Sequence, residues 1–330
     1  MKNKYLYAII TFIIALIIAL LLIFLSNNEE KQNITTLKVA EVTHSIFYTP
    51  FYVAIENGYF KNYNIDIDLI LVSGSDNVAA SVLSKDTNIG LAGPESAIYV
   101  YTGGEKDYLQ VFAGLTKRDG QFLISRNKDF KWSDLIGKEV LVGRSTGMPA
   151  LSFFKALENE GIDKSKVKIN TSIEFAELSG AFIGGEGDFV NLFEPTASKL
   201  ESNKQGYVVK SVGLSSNAFP YTAFYAKKSF INNNNKEVLT AFTKALNEGI
   251  LYVKNNNGKT IANVIKKQFS DATIDELSAQ IERYKKADAW LDSPYLSEDF
   301  YNTLIELLED NDLLKKPVYY EKMVNNLYAK

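Results

Sequence analysis

The 330-residue sequence predicts an α/β protein of two lobes that follows one membrane-spanning helix. An uncharged apolar stretch runs from Tyr5 to Leu25, which is about the 20 residues that cross a bilayer. Beyond it, apolar runs of strand length alternate with amphipathic stretches, the pattern of parallel α/β sheets. About 290 residues follow a short polar linker, more than one hydrophobic core usually contains, which indicates two lobes.

The apolar stretch is interpreted as a retained anchor. Two lysines precede it and two glutamates follow it, so residues 1–4 are predicted to be a cytoplasmic tail and the chain beyond the helix to be outside. The stretch is long for a signal peptide and lacks a small-residue cleavage site, although cleavage stays open. Residues 26–36 are the predicted linker. The expected location is the cell membrane, single-pass, with an extracytoplasmic binding domain.

Composition excludes several classes of site. The chain has no Cys and a single His, which rules out disulfides, thiolate chemistry and a His cluster for a metal. We therefore expect no metal, no cofactor and no catalytic triad. A net charge of −3 without a Lys/Arg run argues against nucleic acid as a partner. A small-molecule solute is the predicted ligand, and a monomer is the predicted state.

Two sets of alternating elements follow the linker. Predicted strands of the first set are Leu37–Val42, Ile65–Val72, Ile89–Ala92 and Leu109–Ala113, separated by helices Pro50–Asn57, Asp76–Leu83 and Glu95–Tyr101. In the second set the predicted strands are Glu139–Gly143, Lys166–Asn170, Asp188–Phe193 and Tyr207–Val212, with helices Met148–Asn159, Ile173–Phe182 and Pro195–Ser202. Phe122–Arg126 leads out of the first set. Tyr221–Ala226 is predicted to return to the first sheet, ahead of a helical C-terminal third.

Turns that follow strands and open helices are the expected binding positions, because ligands bind at the carboxyl ends of parallel strands. The first turn offers His44, Phe47 and Tyr48, whose rings suit a flat or apolar solute. Packing of these rings under the next helix, and a plain loop role for His44, remain alternatives.

The next two turns offer small and acidic groups. Ser73 and Ser75 flank a glycine where backbone N–H groups favour an acceptor or anion, unless the turn is only a helix cap. Gly93 and Glu95 follow the third strand, where a carboxylate suits a hydrogen-bond donor. A first-turn glutamate equally complements the helix dipole.

The second set contributes a more basic turn. Arg144, Ser145 and Thr146 stand before a helix start and form the best anion-binding candidate, although Arg144 is also suited to a surface ion pair. Glu194 closes the second set, facing either the cleft or the other lobe.

These turns, taken in order, resemble the solute-binding proteins of ABC importers in the group that binds aliphatic sulfonates, taurine, nitrate and thiamine precursors. The resembling segments are Tyr48–Ala54, Glu56–Phe60, Gly74–Asp76, Gly90–Pro94, Leu135–Lys138 and Phe193–Pro195. The resemblance implies a type II periplasmic-binding fold with crossings near Ser125–Arg126 and Phe219–Ala223. It also implies a permease and its ATPase as partners. Residues 37–125 and 222–330 are then lobe I, and residues 126–221 are lobe II.

The function expected from this resemblance is extracytoplasmic solute binding for import, without catalysis. An enzyme related to fungal pyrimidine synthases is disfavoured because the chain has no Cys. A sensory ectodomain is disfavoured because only four residues precede the anchor. Arg144 slightly favours a sulfonate-type anion, whereas paired Glu95 and Glu194 near Tyr48 suit an aminopyrimidine. The number of acidic groups in the cleft distinguishes these two ligand classes.

Overall fold

The computed structural model describes residues 11–18, 34–232 and 235–329. It divides the chain into two units, Met1–Thr35 and Thr36–Lys330. In the first unit, residues 11–18 are helical (α1) with exposed side chains. No helix among the described residues is long and apolar enough to cross a membrane. The predicted tail, most of the predicted span and the linker up to residue 33 lie outside the described residues.

Within the described residues, ten strands form two five-stranded sheets. The first sheet has the order β2-β1-β3-β10-β4 and the second has the order β7-β6-β8-β5-β9. The strands are β1 Thr35–Glu41, β2 Ile65–Leu71, β3 Ile89–Ala92, β4 Leu109–Thr116, β5 Phe122–Ser125, β6 Glu139–Leu141, β7 Lys168–Asn170, β8 Phe189–Leu192, β9 Tyr207–Ser211 and β10 Thr222–Lys227. The first strand thus begins two residues before the predicted Leu37, inside the expected linker.

Both sheets are mixed, which corrects the expectation of a parallel sheet in each lobe. Strands β1 and β3 are parallel, as are β6 with β7 and β8. Strand β10 is antiparallel to β3 and β4, with Phe224 opposite Leu91 and Ala113. Strand β5 is likewise antiparallel to β8 and β9. Each sheet therefore receives its antiparallel strand from chain that has just left the other sheet.

The first crossing between the sheets lies earlier than expected. Strand β4 ends at Thr116 in the first sheet, and β5 begins at Phe122 in the second. Residues 122–125, assigned to lobe I from the sequence, pair instead with β8 and β9. Their three buried apolar side chains and the buried Ser125 complete the second sheet. The return of β10 to the first sheet agrees with the prediction from its apolar pattern.

Helices cover both sheets. Those of the second unit are α2 Thr49–Glu56, α3 Tyr59–Asn62, α4 Ser75–Ser84, α5 Glu95–Thr102, α6 Met148–Asn159, α7 Leu178–Ile183, α8 Thr196–Ser202, α9 Val212–Ser215, α10 Lys228–Asn232, α11 Lys236–Asn255, α12 Gly258–Ile265, α13 Ile274–Lys286, α14 Glu298–Glu309 and α15 Tyr320–Met323. The predicted helix Ile173–Phe182 is instead a 3-10 turn at Phe175–Glu177 followed by α7.

An aromatic core fixes the helices that surround the first sheet. Phe51 of α2 packs against Phe224 of β10 with ring centroids 5.1 Å apart, and Phe242 of α11 packs against Phe224 at the same spacing. Helix α11 approaches α2 so closely that a Cβ at Gly249 would lie 2.2 Å from the Pro50 carbonyl oxygen. Glycine at this position therefore allows the close approach of the two helices.

Candidate functional site

Helices from both sheets begin at neighbouring positions. Helices α4 and α5 follow strands β2 and β3 of the first sheet, and α6 follows β6 of the second. The residues that interact there are called the interlobe site: Tyr48, Asp76, Glu95, Tyr99, Arg144, Tyr225 and, through its backbone N–H, Met148. This is the position at which open α/β sheets bind ligands.

Two polar contacts join the turn at Arg144 to the helices of the first sheet. The Arg144 Nη1 donates to Asp76 Oδ2. The Tyr99 hydroxyl donates to the Thr146 carbonyl oxygen at 2.9 Å. The guanidinium predicted to hold an anion is thus paired with a carboxylate of this chain, and the side chains of Ser145 and Thr146 are exposed.

Glu95 is the buried carboxyl of the interlobe site. Its residue exposure is 1%, and its Oε2 has no hydrogen-bond partner. Burial raises the pKa of Glu95 to about 7, against the opposing effects of the backbone N–H groups of Glu95 and Met148 and the charge of Arg144. A Cβ at Gly93 would lie 2.0 Å from Glu95 Oε2, so the glycine makes room for this carboxyl.

Tyrosines surround Glu95. Burial, followed by the charge of Glu41, raises the pKa of Tyr48, and Tyr225 and Glu95 contribute further. The Tyr225 hydroxyl accepts a hydrogen bond from Ser96 Oγ at 3.2 Å. Burial and the Glu95 charge also raise the pKa of Tyr99. The site therefore combines neutral phenols and aromatic faces with one unpaired carboxyl oxygen.

Phe47 packs among other aromatic rings of the core. The residue is fully buried, and its ring centroid is 5.2 Å from that of Phe193 and 5.3 Å from that of Tyr284. Of the two roles considered from the sequence, ligand contact and packing in the core, the Phe47 ring therefore has the second.

His44 is held by two acceptors. Its Nδ1 lies 2.7 Å from Glu41 Oε1, and its Nε2 lies 2.9 Å from the Gln268 carbonyl oxygen. Because both partners accept hydrogen bonds, the doubly protonated imidazolium satisfies both. Burial lowers the pKa of His44, but the bonds to Glu41 and Gln268 and the Glu41 charge outweigh it, and the net pKa is raised.

We expect the His44 contacts to make stability depend on pH. A histidine whose folded pKa is raised stabilises the fold below its unfolded pKa of about 6.5, and the contribution is lost as pH rises through the folded pKa. Urea unfolding of His44→Gln and wild type should therefore differ most near pH 5 and converge at alkaline pH. A constant difference across this range would contradict the imidazolium assignment.

The turn before α4 does not cap its helix through a serine. Gly74 occupies the N-cap position, Ser75 begins the helix partly buried, and Ser73 is exposed. The Ser73 carbonyl oxygen accepts from Asn77 Nδ2 at 2.8 Å. The residue of this turn that belongs to the interlobe site is Asp76, through its carboxylate, and not Ser73 or Ser75.

Glu194 faces helix α13 of the C-terminal third. Its Oε1 lies 2.7 Å from Arg283 Nη1, and its Oε2 accepts from the backbone N–H of Ser198 at 2.8 Å. The residue has 0% exposure. Burial raises the pKa of Glu194, although Arg283 and Ser198 oppose the shift. Glu194 is thus partnered away from Glu95, so the two carboxyls do not form the pair expected from the sequence.

A second polar group lies where the chain crosses between the sheets. This crossing cluster consists of Asp119, Gln121, Ser152, Asn191 and Tyr221, and the first four are fully buried. The Gln121 backbone N–H donates to Asp119 Oδ1 at 2.7 Å, and Ser152 Oγ donates to Asp119 Oδ2. Burial raises the pKa of Asp119 to about 7, against its bonds to Ser152 and Gln121.

Tyr221 connects the two polar groups. Burial raises its pKa first, and the nearby Asp119, Tyr48 and Glu95 add to the shift. Its ring also packs against Phe47, with centroids 5.7 Å apart. The charges of Glu95, in the interlobe site, and of Asp119, in the crossing cluster, therefore both act on the Tyr221 hydroxyl.

No group of three or more Asp, Glu or His side chains suited to a metal ion occurs within the described ranges.

A family model described as NMT1/THI5 like matches residues 46–277, which is well over half of the chain. The chain belongs to the NMT1/THI5-like family. Its matched segment includes both crossings and both polar groups described above.

Similar proteins place this NMT1/THI5-like chain among binding proteins. "Putative binding protein YtlA" of Bacillus subtilis strain 168 is 38% identical over 304 residues, covering 91% of each chain. The solved ligand-binding component of an ABC-type import system from Staphylococcus aureus shares the fold at a TM-score of 0.71 and 12% identity, covering 89% of this chain and 98% of the other.

A third comparison gives the same fold. The periplasmic aliphatic sulphonate binding protein of Escherichia coli matches with a TM-score of 0.65 and 17% identity, covering 89% of this chain and 99% of the other. These matched proteins are described as binding proteins, and not as enzymes.

Sequence reasoning on the NMT1/THI5-like chain missed the crossing cluster. Asp119 and Gln121 lie between two predicted strands, and Asn191 interrupts the apolar run Phe189–Leu192. A lone amide within a fully buried strand is the signal that marks such a position, because buried polar groups need partners.

Proposed function

We propose that this chain is the extracytoplasmic substrate-binding component of an ABC importer for a small organic solute. Membership of the NMT1/THI5-like family and the fold shared with a ligand-binding component of an ABC-type import system support this function. The partners are then a permease and its ATPase. Residues 5–25 serve as a single-pass anchor in the cell membrane, and the protein acts as a monomer.

We further propose that the solute donates hydrogen bonds from a flat ring, as an aminopyrimidine of the thiamine-precursor kind does. The observation that carries this choice is Glu95, which is buried among tyrosines with Oε2 unpaired. An N–H donor supplies the missing partner, and the phenol rings offer faces for stacking.

An aliphatic sulfonate is the second candidate. Arg144 favours it, and the fold is shared with the aliphatic sulphonate binding protein of Escherichia coli. However, Arg144 already pairs with Asp76, and the nearby carboxyls of Asp76 and Glu95 oppose an anion. The acidic lining therefore reverses the slight preference for sulfonate drawn from the sequence.

A thermal-shift screen of the full chain in mild detergent tests both candidates. Aminopyrimidines, thiamine, taurine, other alkanesulfonates and nitrate are the probes. A solute at a hundredfold excess over its Kd should stabilise the protein by about 2.7 kcal/mol. Stabilisation by none of these probes would count against both solute classes, and turnover of a probe would contradict the binding function.

Two variants separate the candidates. We expect Glu95→Gln to weaken binding of an aminopyrimidine roughly 10- to 100-fold, because a charge-assisted hydrogen bond is lost. Arg144→Ala serves as the matched variant from the opposite lobe and should leave that affinity within a few-fold. For a sulfonate, Arg144→Ala should weaken binding, whereas Glu95→Gln should strengthen it because an opposing carboxyl is removed. Isothermal titration calorimetry measures both affinities.

A further inference from the structure

The crossing cluster contains a carboxamide that the fold leaves unsatisfied. Asn191 has 0% exposure, and neither its Oδ1 nor its Nδ2 has a hydrogen-bond partner. The Oε1 of neighbouring Gln121 also has no partner. Buried polar groups are nearly always paired in folded proteins, so two adjacent amides with free atoms point to a ligand.

Asn191 lies near the carboxyl end of strand β8, the end at which α/β sheets bind ligands. Strand β8 ends one residue later at Leu192, and the Phe193 ring that follows lies 6.2 Å from the Tyr221 ring. Gln121 Nε2 donates to the backbone carbonyl oxygen of Asn191 at 3.2 Å, which places the Gln121 side chain beside strand β8. The charges of Glu95, in the interlobe site, and of Asp119, in the crossing cluster, both act on the Tyr221 hydroxyl.

We propose, building on the solute-binding function above, that the Asn191 carboxamide binds a polar edge of the solute on which a hydrogen-bond donor and an acceptor are adjacent. Amides, lactams and amino-substituted nitrogen heterocycles carry such an edge. Gln121 Oε1 accepts a further N–H from the same edge.

The chemistry of a carboxamide explains this selectivity. It presents one acceptor and one donor in a single plane, so a complementary edge forms two parallel hydrogen bonds, as Asn and Gln do with adenine. A sulfonate offers acceptors only, and it leaves Asn191 Oδ1 and Gln121 Oε1 unpaired. The nearby Asp119 carboxyl further disfavours an anion.

The decisive variant is Asn191→Leu, which keeps the approximate volume and removes both polar atoms. We expect the solute-free variant to melt at a higher temperature than wild type, because unpaired buried groups are removed. Its affinity for 4-aminopyrimidine, cytosine or nicotinamide, whichever the wild type binds, should fall at least about tenfold. A purely structural asparagine predicts the opposite change in stability.

Asn170→Leu is the matched control. Asn170 lies in β7 of the same sheet, and its Nδ2 donates to Glu139 Oε1 at 3.0 Å. Its replacement should lower the melting temperature and leave solute affinity unchanged. Asn191→Asp, which keeps the shape and loses the amide donor, should also weaken binding and covers the case in which the leucine variant does not fold.

The full chain is assayed by calorimetry against the three amide-edged probes and against taurine and methanesulfonate. Wild-type binding of an amide-edged probe that is lost in both Asn191 variants supports the proposal. Unchanged affinity in the variants overturns this proposal and leaves the binding function intact. Wild-type binding of the sulfonates alone has the same two consequences. Binding of no probe by the wild type contradicts the proposed function itself, and the role of Asn191 with it.

Discussion

Replacing Arg283 with Ala is expected to lower the free energy of unfolding by about 3 kcal/mol, because it leaves the buried Glu194 carboxylate without its charged partner. Arg283 Nη1 lies 2.7 Å from Glu194 Oε1, and Glu194 has 0% exposure. The Arg283 guanidinium also stands over the Phe122 ring, 5.5 Å from its centroid. Helix α13 would thus lose its charged contact with the second sheet.

Urea unfolding at pH 7 measures this effect. Lys259→Ala serves as a control, because its ion pair with Asp275 is mostly exposed and should contribute less than about 1 kcal/mol. The double variant Glu194→Gln/Arg283→Met should recover part of the loss, since it removes both charges together. Equal losses in Arg283→Ala and in the double variant would show that packing of the arginine, and not the stranded charge, dominates.

Glu95→Gln is expected to stabilise the solute-free protein at alkaline pH by about 3 kcal/mol and to have little effect near pH 4. Burial raises the folded pKa of Glu95 to about 7 from its ordinary value of 4.5, and each pKa unit corresponds to about 1.4 kcal/mol. Between these two pH values the folded protein binds more protons than the unfolded chain. Stability therefore falls as pH rises through this window, and the neutral glutamine avoids the loss.

Chemical unfolding of both proteins at pH 4, 6 and 8 tests the sign and the window. Glu158→Gln is a suitable control, because its side chain is 64% exposed and pairs with Lys155 at the surface. A Glu95→Gln effect that is the same at all three pH values would argue against proton linkage at this carboxyl. Loss of stability at pH 8 would contradict the unpaired position of Oε2.

The pattern of apolar runs carries enough information to predict the strands. Ile89–Ala92 occurs as predicted, and β10 returns to the first sheet as its apolar pattern indicates. The apolar pattern of β5 did not predict which of the two sheets this strand joins. A four-residue buried strand with no alternation suits either sheet, and only pairing with β8 and β9 decides between them.

Candidate site residues show a similar division. Turn positions after strands identified Glu95 and Arg144 as candidate site residues, because ligands bind at the carboxyl ends of parallel strands. The ion-pair partners of Arg144 and Glu194 were not predictable, since they depend on which charges are nearest in space. Arg144 pairs with Asp76, and Glu194 pairs with Arg283 from a helix 89 residues further along the chain.

The exchange of antiparallel strands between the sheets has a consequence for the order of assembly. All five strands of the second sheet lie within residues 122–211, so this sheet has its complete set of strands once that segment is available. The first sheet lacks the strand between β3 and β4 until residues 222–227 arrive. Its pairing therefore joins residues more than a hundred positions apart, the kind of contact that forms slowly. A chain emerging from its N-terminus can complete its second sheet before its first.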